Sequence, residues 1–168
     1  MVYTIVNLPI GRIFLAKREK GLSFATLIKN KRNLGKILDF FKERGITLQL
    51  DKKRFQEETK LFNRYFKGKK EDFASLHPDF VSGTPHQKRV WLATRKIPYA
   101  KTASYKSLAK KLNHRGYRSI GQALSQNPLA IVIPCHRVLR SDGSLGGFSA
   151  GLKLKEFLLH LEKGGAQL

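Results

Sequence analysis

Residues 104–138 read SYKSLAKKLNHRGYRSIGQALSQNPLAIVIPCHRV. Ser104 suits the N-cap of a helix running to Leu112, and after Asn113-His114-Arg115-Gly116 the stretch 117–126 forms a second helical pattern. Two short helices joined by a turn that contains glycine, in a basic setting, predict a helix-turn-helix with 117–126 as the recognition helix. Asn127-Pro128 closes that helix. An apolar strand is expected over 130–133, broken by Pro134 immediately before Cys135-His136-Arg137-Val138.

Working outward, 85–95 reads as a helix with Pro85 at its first position. Between Glu71 and Pro85 the chain turns rich in His-Pro, Ser-Gly and Thr-Pro steps, the composition of a linker, which places a boundary near Gly83 and divides the chain into 1–82 and 83–168. In the first part, 3–7, 11–17 and 22–28 are short, rich in β-branched and aromatic residues, and separated by turn signals; they predict an antiparallel meander. Leu34, Ile37, Leu38 and Phe41 give 33–44 a helical period closed by Gly45, and Phe55, Leu61, Phe62, Tyr65 and Phe66 do the same for 53–67, closed by Gly68. The fold class is therefore α+β, a small antiparallel sheet with helices followed by a mostly helical part. No internal repeat or low-complexity tract is present.

Charge narrows the partner. The 168 residues carry 33 Lys+Arg against 12 Asp+Glu, a formal +21 with pI near 10.4. Heat-adapted surfaces raise Lys and Glu together, whereas here Glu has not followed Lys, so the surplus points to a polyanion and to nucleic acid before an anionic membrane. No apolar run approaches a membrane span and no secretory pattern opens the chain, so a soluble protein in a reducing compartment is expected. A single cysteine rules out an intramolecular disulfide and a cysteine-rich metal site.

A lone cysteine behind an apolar strand is ordinarily inert packing. Cys135 departs from that pattern because Pro134 ends the strand just before it, His136 and Arg137 flank it, and Glu162 can orient a histidine. A thiol becomes nucleophilic when a neighbouring base or cation increases its thiolate fraction.

The octapeptide IVIPCHRV at 131–138 resembles the active-site signature of the O6-alkylguanine-DNA alkyltransferase family. The resemblance extends over 83–163 through Gly83-Thr84, Val90-Trp91, Ile97-Pro98-Tyr99, Ser104-Tyr105, Gly121, Asn127-Pro128, Gly146, Ser149 and Lys155-Glu156. Before residue 83 it rests on Gly11, Gly21-Leu22 and Tyr65-Phe66-x-Gly68. It implies a ribonuclease H-like N-terminal domain and a winged helix-turn-helix-like C-terminal one, with Cys135 as alkyl acceptor, His136 as the base reaching the thiol through a water, Glu162 as the carboxylate holding the imidazole, and Asn127 as a brace for the turn. Asn127 also reads as a helix C-cap. Tyr105 matches a tyrosine that assists the departing guanine, though alone it reads as a core residue. Arg118 matches the arginine that fills the gap left by an extruded base, though alone it passes for a phosphate contact.

The resemblance also implies that the recognition helix enters the minor groove, only about 6 Å wide, and the small residues Ser119, Gly121, Ala123 and Ser125 meet that demand, with Arg137 as a further DNA contact. Val138, Phe148, Ser149 and Ala150 are expected around the base. The resemblance implies duplex DNA carrying O6-alkylguanine as partner, a monomer, no metal and no cofactor, located in the cytoplasm (nucleoid-associated in a prokaryote, nuclear in a eukaryote). Three positions depart from the family pattern: His86 stands in place of an aromatic, Ala100 in place of a frequent glycine, and Ala150 where some relatives carry glycine. A turning-over cysteine hydrolase would use the same Cys-His-Glu parts but leaves the charge unexplained, and a non-repairing DNA binder would lack the cysteine.

Overall fold

The computed structural model describes residues 1–165. Three strands, β1 (Val2–Leu8), β2 (Gly11–Arg18) and β3 (Gly21–Ile28), form the antiparallel meander, and β4 (Gln49–Leu50) adds to the free edge of β1 in parallel, giving the order β3-β2-β1-β4. Ile13, Phe14, Leu15 and Ala16 in β2 are all buried. That continuous apolar run is the mark of a central strand covered on both faces. Phe14 and Ala16 face α1 (Lys31–Lys42), packing with Ile37 and Phe41, while Ile13 and Leu15 face the main core. Helix α1 starts two residues before the expected Asn33, because the Asn30 side chain caps it by accepting from the Asn33 N–H at 2.8 Å. Leu38, expected on its apolar face, is 39% exposed.

The second predicted helix opens with a 3-10 turn, Lys53–Phe55, and continues as α2 (Gln56–Phe66), which buries Phe62, Tyr65 and Phe66. The stretch that reads as a linker is packed. Phe73 and Leu76 are buried, His77 and Asp79 exchange backbone hydrogen bonds with Leu22, and the Arg95 guanidinium donates to the carbonyls of Phe73 and Ala74 at 3.1 and 3.2 Å. One apolar cluster consequently runs from Leu15, Phe55 and Tyr65 to Trp91, Ile133 and Leu158.

Beyond it, α3 (Pro85–Arg95) is opened by a Thr84/Gln87 capping box with Pro85 in its first turn, and α4 (Tyr105–Lys111) by a Ser104/Ser107 box. Helix α5 (Tyr117–Ser125) follows, its Ala123 carbonyl accepting the Trp91 indole N–H at 2.7 Å. Two short strands, β5 (Ala103–Ser104) and β6 (Val138–Leu139), pair in parallel, and α6 (Leu152–Glu162) closes the core. The expected strand over 130–133 is instead a tight turn: Ile131 has φ +74°, and the Ile133 N–H donates to the Leu129 carbonyl at 2.8 Å. Apolar composition is the same for a buried strand and a buried turn, and here a polar side chain outside the run dictates the turn.

Candidate active site and nucleic-acid face

That side chain is Asn127. Its Oδ1 accepts from the Leu129 N–H at 2.9 Å, and its Nδ2 donates to the Ile133 carbonyl at 2.9 Å and lies 3.3 Å from Cys135 Sγ. One amide therefore shapes the turn and contacts the thiol. A β-branched residue at positive φ costs about 1–3 kcal/mol, so the turn persists because Asn127 and the surrounding core over-determine it. Cys135 begins a 3-10 turn (Cys135–Arg137) and is 7% exposed. Burial pushes its thiol above the usual value, while the Asn127 N–H and the Lys155 ammonium pull the other way.

His136 is wholly buried, with Nε2 2.7 Å from Glu162 Oε1 and, among the described residues, no protein partner for Nδ1. A carboxylate facing Nε2 assigns the proton to that nitrogen and leaves Nδ1 as the basic atom. Desolvation lowers the imidazole pKa, opposed by Glu162 and assisted by Arg137 and Lys155, so His136 is held as a neutral base. Burial alone would raise the Glu162 pKa, but hydrogen bonds from His136 and Arg137 bring it down to about 2.

Arg137, expected as a DNA contact, points inward. It is buried, with Nε 2.9 Å from Glu162 Oε2, Nη2 2.9 Å from Oε1, and Nη1 donating to the Ile97 carbonyl at 2.7 Å. A guanidinium this fully paired is part of the Glu162 clamp. Ala100, one of the departures, donates its backbone N–H to Glu162 Oε2 at 3.1 Å.

Cys135 opens into a cavity of about 950 Å³ whose walls include Tyr105, Arg118, Gly121, Phe148 and Ser149. The Tyr105 hydroxyl donates to the Gly147 carbonyl at 3.3 Å, and its ring presses on Gly146, where φ is +65° and a Cβ would stand 3.0 Å from the ring. Ala150 lines a second crevice, of about 760 Å³, between β3, α1 and the acceptor loop; Cys135, Phe148 and Ser149 border both. Val138 is buried outside the cavity, its carbonyl accepting from Lys155 Nζ at 2.6 Å.

On α5 the exposed side is Tyr117, Arg118, Gln122 and Ser125, with Gly121 half-buried between them. Ala123, expected at the groove, is 2% exposed and sits in the core with Ile120 and Leu124, as the i, i+3, i+4 spacing of a helix requires. Ser119 turns back on its own helix, donating to the Gly116 carbonyl at 2.7 Å beside His114. Among the described residues no three His, Cys, Asp or Glu side chains gather to hold a metal ion.

Two family descriptions match this chain, 6-O-methylguanine DNA methyltransferase, DNA binding domain, over 85–164, and the ribonuclease-like domain of the same methyltransferase over 1–79. The chain belongs to the 6-O-methylguanine DNA methyltransferase family. A methylated-DNA--protein-cysteine methyltransferase of Methanosarcina barkeri is 43% identical over 165 residues, spanning 97% of this chain and 98% of that one. The inducible enzyme of that name from Bacillus subtilis is 33% identical over 97% of this chain and 90% of its own length. Among solved structures, Mycobacterium tuberculosis OGT in complex with DNA matches with a TM-score of 0.84 at 31% identity, covering 99% of this chain and 95% of that chain.

Two members of the site in this methyltransferase fold were not singled out as site residues from the sequence. Lys155 is fully buried, donating to the carbonyls of Val138, Leu145 and Gly147, and burial lowers its pKa to about 8. A lysine in the apolar period of α6 is the signal that marks it, since a buried ammonium needs acceptors. Tyr65 reaches the site from α2, its hydroxyl 2.7 Å from Glu162 Oε1. Its sequence signal, a tyrosine in the core period of an amphipathic helix, is shared with ordinary core residues.

Proposed function

We propose that this methyltransferase-family chain repairs DNA by direct reversal, moving the alkyl group of O6-alkylguanine in duplex DNA onto Cys135 once per molecule. The observation that carries the reading is the junction of Cys135 with both the Asn127-braced turn and the large cavity beside the exposed side of α5. The His136–Glu162 pair lies in the next residue's reach and supports a base for the thiol.

In this reading the thiol proton passes through a water to His136 Nδ1. The sulfur electron pair forms the S–C bond as the C–O6 bond breaks, the electrons of that bond stay on the guanine, and the guanine takes up one proton at N1 from solvent while His136 gives up through the water the proton it took from the thiol. Thiol and O6-alkylguanine become thioether and guanine, with no atom or charge left over. The phenol of Tyr105, whose pKa burial and the neighbouring thiol hold above the usual 10.0, keeps its proton and serves as a donor to the departing base. A thioether has no leaving group to regenerate the thiol, so each molecule acts once.

A carbon inside the base stack cannot be approached in line, so the nucleotide is rotated into the cavity, at a cost of a few kcal/mol. Exposed Arg118 fills the gap, and Phe148 and Ser149 border the extruded base, with Ala150 on the adjoining crevice. The same pocket is proposed to admit O4-alkylthymine. The division into units 1–82 and 83–168, a monomeric state and a cytoplasmic location belong to the same proposal. No helix among the described residues is long and apolar enough to cross a membrane. Methyl-labelled duplex mixed with limiting protein tests the reading: label on protein should stop at one per chain, whereas continued release with time identifies a turning-over enzyme and no label on protein identifies a binder.

A further inference from the structure

Glu162 is held from both parts of the chain. His136, Arg137 and the Ala100 N–H reach it from residues after Gly83, and Tyr65 reaches it from α2. Tyr65 has no exposed surface, and its ring lies among Phe66, Phe73 and Tyr99 at centroid distances of 5.1, 5.5 and 6.2 Å. Its hydroxyl has two polar neighbours, Glu162 Oε1 at 2.7 Å and His136 Nε2 at 3.4 Å. Packing alone does not call for that hydroxyl, because Phe62 and Phe66 fill the same face of α2 as phenylalanines. A buried hydroxyl is costly unless it is hydrogen-bonded, so its placement is tied to the carboxylate.

We propose that Tyr65 is a positioning residue of the acceptor site, its hydroxyl drawing charge from Glu162 Oε1 and so setting how strongly His136 takes up the thiol proton. The part of the chain before Gly83 then takes part in the reaction and does more than cover the core. The inference rests on the reading of Cys135 as alkyl acceptor. Oε1 receives the His136 Nε2 proton, the Tyr65 hydroxyl and Arg137 Nη2 at 2.7, 2.7 and 2.9 Å. Donors to one oxygen compete for its electron density. Removing the phenol leaves a more basic carboxylate, a tighter grip on the Nε2 proton and a more basic Nδ1. The phenol remains a donor throughout, since burial and the Glu162 charge raise its pKa well above 10.0. The other groups facing His136 are Cys135 and Arg137 from its own turn, Lys155 from α6 and, across the Glu162 network, Tyr99.

The test follows Cys135 modification across pH with two reagents, iodoacetamide and a duplex carrying O6-methylguanine. The acid limb of the rate reports protonation of His136, because burial lowers the imidazole and raises the thiol. Tyr65→Phe should move that limb to higher pH by roughly half a unit or more, as expected for losing one hydrogen bond to a charged acceptor. Phe62→Leu, a packing change on the same helix, should lower stability and leave the limb in place. 3-Fluorotyrosine placed at position 65, a stronger donor of the same shape, should move it to lower pH, and this arm stands even if Tyr65→Phe folds poorly. Coincident limbs for wild type and the position-65 variants, or an equal shift from Phe62→Leu, would overturn the proposal. Wild-type protein that reacts with iodoacetamide but takes nothing from the duplex would instead defeat the alkyl-acceptor reading and leave the iodoacetamide limbs to decide on Tyr65.

Discussion

Asn127 commits both polar atoms of its side chain to the turn that presents the thiol. Asn127→Ala should therefore lower Tm by roughly 3–10 °C, because buried backbone groups lose their partners. It should also slow alkyl transfer by about tenfold or more through misplacement of Cys135. A thermal melt paired with single-turnover kinetics separates the two effects. The buried His136–Glu162 pair makes a pH prediction with a definite sign. The folded imidazole titrates below its ordinary 6.5, so the unfolded chain binds more protons beneath that pH and stability declines as pH falls through it. Glu162, held near 2 against an ordinary 4.5, adds a second loss as pH falls from about 4.5 toward 2. Urea midpoints should hold between pH 8 and about 6.5 and fall from there to pH 3, and a Glu162→Gln variant should lose the lower part of that decline. At this scale the thiol, the histidine and the asparagine were legible because their chemistry lies within nine residues of one another. The inward pairing of Arg137 was not legible for the opposite reason: its partner is a carboxylate twenty-five residues further along, and a cationic side chain beside a cysteine reads equally as a DNA contact until that partner is in place.

Helix α5 carries the next prediction, because its exposed side, and Arg118 in particular, borders the cavity that holds Cys135. Arg118→Ala should slow transfer from duplex DNA by on the order of tenfold, since the extruded nucleotide loses what fills its place. It should leave reaction with free O6-benzylguanine unchanged, because a free base needs no extrusion. Equal losses on both substrates would assign Arg118 to the pocket and not to the stack. The helix itself was legible to within a residue from its 3.6-residue period, as were α3 and α4, whose capping residues also act locally. The position of Ala123 was not, since a small residue suits a groove and a close helix contact alike; the Trp91 indole reaching its carbonyl decides for the core. The expected strand at 130–133 failed on similar grounds. Four apolar residues specify burial, and the left-handed backbone at Ile131 follows from the Asn127 side chain and the contact with β3, neither of which periodicity reports.

For the whole molecule, the linker-like stretch before Gly83 proved to be packed, with Phe73 and Leu76 inside a core that continues from β2 to α6. Pro, Gly and Ser composition describes how the backbone turns, and says nothing of whether the intervening apolar residues find a surface to cover. A continuous core predicts a single cooperative transition, with circular dichroism and Trp91 fluorescence coinciding in denaturant; two separated transitions would show that 1–82 and 83–168 unfold independently. The +21 charge, spread over both parts, attracts DNA without selecting a base, and in the proposed function selection falls to the cavity. The proposed chemistry turns on one atom, Cys135 Sγ. Mass spectrometry of protein incubated with excess duplex carrying O6-methylguanine tests it most directly: one methyl group per chain, mapped to the peptide holding Cys135 and absent from Cys135→Ser, is the predicted result. A methyl group on any other residue, or unchanged protein mass beside repaired DNA, would contradict it.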